Sequence, residues 1–72
     1  MENSQVFLSL SRAEAIVLFE WLANSSKSLA FEDDSERCVL ANIECQLEKL
    51  LAEPFSPNYD EILEDARRMV RG

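Results

Sequence analysis

Fourteen carboxylates, two thiols and one indole are the groups with which this 72-residue chain could do chemistry. Carboxylates can serve as general acids and bases, ligate metals or attract cations. Acid–base catalysis needs a cleft that shifts a carboxyl pKa, and a chain this short has little room for one. There is no histidine, so neither a Ser–His nor a Cys–His nucleophile pair can be built. Gly72 is the only glycine, which rules out a glycine-rich phosphate loop. A closed zinc site would need carboxylates in unusual number beside the two cysteines. Neither enzymatic activity nor a cofactor is expected.

The carboxylates gather in two places. Glu32, Asp33, Asp34 and Glu36 fall within one five-residue run, and Asp60, Glu61, Glu64 and Asp65 form the second group. A calcium loop would want a spaced ladder of oxygens and a turn glycine, and both are missing. Each group stands where a helix is expected to begin. They read either as caps and partners of the helix dipole or as docking patches for cationic side chains. Trp21 lies with Val17 and Glu14 away from the main apolar stripe of its helix. It is either a core residue or an interface anchor, since tryptophan is over-represented among binding hot spots. The candidate protein-binding residues are therefore Glu32, Asp33, Asp34, Glu36, Asp60, Glu61, Glu64, Asp65 and Trp21. Cys38 and Cys45 are seven residues apart on one helical face, roughly 10.5 Å along the axis. That exceeds the ~6.8 Å between Cα atoms that a disulfide tolerates. They are expected to be small apolar residues on a secondary contact face.

The elements that must position these groups can be read from periodicity. Residues 5–10 alternate Val6, Leu8 and Leu10 on one face with Phe7 and Ser9 on the other, the pattern of a short strand. Its internal pairing candidate is the weak segment 28–32, and its external one is a second chain. Ser11 and Glu14 make a capping box that opens a helix over about 11–24. Ala15, Leu18, Phe19 and Leu22 form its stripe, flanked by Ile16 and Ala23. Apolar on nearly all sides, this helix must be central or covered by something else. A second helix over about 34–53 opens at Asp33 or Asp34 and carries the seam Leu40, Ile43, Leu47 and Leu50. Pro54 disfavours helical geometry in the residue before it. The third, over 57–71, takes Ser56 as cap and Pro57 as first residue, with Tyr59, Ile62, Leu63, Ala66, Met69 and Val70 as its stripe. The expected fold is mainly α: a compact three-helix single domain, 1–72, with a short N-terminal β-strand.

Size and charge narrow the partners. A single core in a domain this small supplies no more than roughly 3–5 kcal/mol without a staple, which points to oligomerisation or a bound partner as support. Apolar residues make up 47% of the chain, a composition that packs. The longest apolar run, residues 15–19, is far short of the ~20 that span a bilayer. Residues 1–5 lack the charge and apolar stretch of a secretory signal, so a cytoplasmic protein with reduced thiols is expected. The net charge of −7 repels nucleic acid and anionic membranes and steers in a basic macromolecule.

Two stretches, residues 10–15 leading to Phe19-Glu20-Trp21-Leu22, and Glu53-Pro54-Phe55-Ser56-Pro57-Asn58-Tyr59, resemble a group of short acidic bacterial proteins. The chain as a whole looks like the immunity proteins carried beside contact-dependent growth inhibition toxins, including those that neutralise EndoU-type nucleases. That resemblance implies a binding inhibitor that masks a basic nuclease surface, and it transfers no defined binding residue. The alternative is a structural or regulatory homodimer with no toxin partner.

Overall fold

The computed structural model describes residues 4–25 and 27–72. Residues 1–3, part of the stretch read for a secretory signal, and Ser26, read as part of the stop of the first helix, lie outside the described residues. The chain builds α1 (Arg12–Ser25), α2 (Asp34–Leu50), a 3-10 turn (Glu53–Phe55) and α3 (Tyr59–Arg71).

α1 starts where its capping box requires. The Glu14 amide donates to Ser11 Oγ (3.1 Å), and the Ser11 amide donates to Glu14 Oε1 (2.8 Å). At α2 the choice between two aspartates resolves to Asp33, whose extended backbone lets its carboxylate accept the Ser35 amide at 2.8 Å. Glu36 reaches back to accept the Glu32 amide at 2.9 Å, so both acids hold the helix start together.

α1 is the centre of the body. Trp21 lines a cleft with Val39 and Leu40, and Ala15 lines another with Leu47 and Leu51, so α2 runs antiparallel to α1. Tyr59 meets Glu20, and Met69 lies beside Ala13, so α3 is antiparallel to α1 as well. The buried core is Ala15, Ile16 and Leu22 of α1, Leu47 and Leu51 from α2 and its exit, and Leu63 and Ala66 of α3. Covered from two sides, α1 buries Ile16 more fully than the expected stripe members Leu18 and Phe19, which are half-buried, while Ala23 is exposed.

Four expectations are corrected. Among the described residues no strand forms: residues 4–10 are exposed and without regular structure, with Val6 at 88% and Phe7 and Leu8 at 83% exposure. A strand needs a neighbour, and the segment proposed to pair with it is held in a turn at the far end of α1, where the Ser28 and Leu29 amides donate to Ser25 O. Second, the α2 seam closes on Leu51 (4% exposed) and not on Leu50 (71%). From Leu47, a step of four residues stays closer to the same face than a step of three at 3.6 residues per turn. Third, α2 stops at Leu50, not near 53. Leu51 turns extended, and Pro54, with no N–H to continue the ladder, enters the 3-10 turn. Fourth, α3 begins at Tyr59, not 57. Ser56 is extended and closes the 3-10 turn, its amide donating to Glu53 O, rather than capping α3; the Tyr59 amide closes a turn onto Ser56 O at 3.2 Å, placing Pro57 inside that turn.

Candidate functional site

Because α2 and α3 both run against α1, their N-termini lie at the end of the body where α1 finishes. Glu32, Asp33, Asp34 and Glu36 stand there with α2, and Asp60 and Glu61 with the first turn of α3. Arg67, Arg68 and Arg71 lie on the last turns of α3, toward the opposite end, where Arg12 opens α1. The body is therefore polarised in charge along its length.

The second acidic group is divided by this geometry. Glu64 faces Arg67 and Arg71 at 3.9 Å, and Asp65 pairs with Arg68. These carboxylates are neutralised within their own helix, and Asp65 lines a cleft beside Arg12 and Ala13 rather than the acidic end. Asp60 and Glu61 enter no ion pair among the described residues. In the first group, Asp34 meets Arg37 at 3.2 Å in the open. Asp33 is committed to Ser35, whose side chain and amide together hold its carboxyl below the ordinary aspartate range. The side chains most available to an external cation are Glu32, Asp60 and Glu61.

Trp21 joins the acidic end rather than a separate face. It is 47% exposed and borders a mostly apolar, open cleft of about 480 Å³ with Leu29, Phe31, Val39 and Leu40, with Glu36 also in its lining. The Arg37 guanidinium covers the neighbouring Phe31 ring at 5.2 Å. Sequence reasoning missed Leu29, Phe31 and Val39 as partners of Trp21. The available signal was three large apolar residues immediately flanking an acidic run that belongs at the surface.

Two further contacts tie the site to the body. The Tyr59 hydroxyl donates to Glu20 Oε1 at 2.9 Å, and burial together with that neighbouring carboxylate pushes the phenol up to about 12. The Arg12 guanidinium grips the Glu53 carboxylate through both oxygens and holds it below the usual glutamate range. This clamp fixes the α2–α3 connection against the start of α1. Cys38 and Cys45 are free thiols, both exposed to solvent. That corrects their assignment to a contact face: they lie off the side on which Leu40, Ile43 and Leu47 meet α1.

No helix among the described residues is long and apolar enough to cross a membrane. Compared with protein-family models, curated proteins and solved structures, the chain matches none of them.

Proposed function

We propose that this protein is a non-enzymatic binding inhibitor whose acidic end docks on a basic protein surface, in the manner of an immunity protein masking a nuclease toxin. The observation that carries the reading is the charge polarity: six carboxylates stand at the end of the body where α2 and α3 begin, and the C-terminal arginines lie away from it. A cationic partner meets a concentrated field there rather than a uniformly charged surface, which raises encounter rate and fixes orientation. Trp21 and its cleft supply an apolar anchor beside that field, the combination found at the centre of tight interfaces.

The test begins with capture from an extract of the native host and identification of the bound protein by mass spectrometry. The identified partner is then assayed for nuclease activity with and without the protein. A basic nuclease inhibited at one-to-one stoichiometry supports the reading. Neutralising Glu32, Asp60 and Glu61 to Gln, Asn and Gln takes the net charge from −7 to −4. It should slow association several-fold at low salt and flatten the salt dependence. An acidic partner, or association unchanged by those three substitutions, overturns it.

A further inference from the structure

The face of α2 that points away from the body carries both thiols of the chain. Leu40, Ile43 and Leu47 turn one side of the helix toward α1, with Leu47 buried and the other two partly so. On the opposite side Asp34, Cys38, Ala41, Asn42, Cys45 and Lys49 follow one another, and all six are exposed. Seven residues return an α-helix to within about 20° of the same direction, so Cys38 and Cys45 share this face, roughly 10.5 Å apart along the axis. That distance forbids a bridge between them within one chain. Their spacing does fit a second copy. When two copies of α2 lie antiparallel across a two-fold axis, Cys38 of each meets Cys45 of the other, and both thiols are used at once.

Charge selects that arrangement. Asp34 and Lys49 stand four residues outside the thiols, one at each end of the face. Lys49 enters no ion pair among the described residues. Asp34, with its side chain 94% exposed, has only its neighbour Arg37. The antiparallel pair sets Asp34 of each copy against Lys49 of the other. A parallel pair, joining like thiol to like, sets Asp34 against Asp34 and Lys49 against Lys49, and it brings the two acidic helix starts together. Aligned helix dipoles oppose the parallel pair as well. The dimensions also fit. Helices pack with their axes about 8–10 Å apart and carry their Cα atoms at a radius of about 2.3 Å. With only Ala41 and Asn42 between the thiols, axes about 10 Å apart leave facing Cα atoms about 5.4 Å apart, inside the ~4.4–6.8 Å that a disulfide accepts.

We infer that the outer face of α2 is a redox-controlled docking surface for a second copy of this chain, closed as an antiparallel pair by two Cys38–Cys45 disulfides. The oxidant is a small-molecule disulfide. One protein thiolate attacks it, its S–S bond breaks, and half of it leaves as a thiolate while the other half stays in a mixed disulfide. The facing thiolate of the second copy then attacks the protein sulfur, forming the Cys38–Cys45 bond and releasing the second half. Each bridge oxidises two protein thiols by two electrons and reduces one small-molecule disulfide to two thiols, which take up the two protons. The reduced chain stays monomeric, because two exposed ion pairs contribute little by themselves. The link places the two acidic ends at opposite ends of the paired helices and uses none of Glu32, Asp60 and Glu61, so it is independent of the acidic-mask reading.

Incubation of the chain with oxidised and reduced glutathione in varied ratio, read by non-reducing electrophoresis and intact mass, tests this. Excess reduced glutathione should leave the 8.2 kDa monomer. Excess oxidised glutathione should give about 16 kDa, twice the 8.2 kDa of one chain, and dithiothreitol should reverse it. Peptide mapping should find Cys38 joined to Cys45. Cys38→Ser and Cys45→Ser change exposed positions, so far-UV circular dichroism should be unchanged. Each variant alone should cross-link at least about tenfold more slowly than wild type, for want of a thiol docked opposite. Mixed in equal amounts, the two should form a singly bridged dimer, because the Cys45 left in the first meets the Cys38 left in the second. Lys49→Glu should slow bridging several-fold at low salt, and adding Asp34→Lys should restore it. Glutathione adducts as the end product, or masses beyond two chains, overturn the paired face. Like-to-like bridges, or single variants that cross-link as fast alone as mixed, overturn the antiparallel register. A rate indifferent to the charge at position 49 marks random collision of exposed thiols and overturns docking. A 16 kDa mass that persists in dithiothreitol overturns the redox control.

Discussion

Replacing Leu51 by Ala should cost this domain most of its stability, while the same change at Leu50 should cost several-fold less. Leu51 is 4% exposed and packs at the core with Leu47 and Leu22, whereas Leu50 is 71% exposed. Truncating a buried leucine costs about 2–5 kcal/mol, through lost transfer energy and the cavity left behind. With less than a third of its surface covered, Leu50 stands to lose about 0.5–1 kcal/mol. The whole domain has about 3–5 kcal/mol to lose, so the Leu51 variant is left close to its unfolding midpoint. At an m-value near 1 kcal/mol/M, its urea midpoint should fall by about 2 M or more, against about 1 M or less for the Leu50 variant. Far-UV circular dichroism reports both transitions without relying on the single tryptophan. Equal losses at the two positions would refute the packing described for the exit of α2 and restore a seam that runs through Leu50.

Two other outcomes follow from individual side chains. The Tyr59 phenol is raised from 10.0 to about 12 in the folded state. Its contribution is therefore fully present below pH 10 and lost as pH rises through the folded value, because the unfolded chain ionises first. Between neutral pH and about pH 11 the wild-type chain should lose roughly 1 kcal/mol, after allowance for solvent screening, that a Tyr59→Phe variant keeps. Urea midpoints at the two pH values decide it, and equal losses in the two proteins would remove Tyr59 as the cause. The double change Cys38→Ala and Cys45→Ala should alter stability by no more than about 0.5 kcal/mol, since both thiols are exposed. A large loss in thermal or urea midpoint would show that one of them packs against something.

The starts of α1 and α2 were legible because their signals are local. Ser11 with Glu14, and Asp33 with Glu36, satisfy backbone amides a few residues away, and nothing distant competes with them. The end of α2 and the start of α3 were misplaced because turn chemistry and helix capping use the same residues: Ser56-Pro57 reads equally well as a cap or as the middle of a turn. Residues 5–10 have the alternation of a strand, yet alternation says only which side chains share a face. Whether a ladder forms depends on a neighbour that this chain does not place beside them. The carboxylate groups were visible as groups, but not their division, which needed the arginines one turn on to be seen pairing with Glu64 and Asp65. Trp21 stood out by type, while its cleft depended on residues 29–31 folding back onto α2.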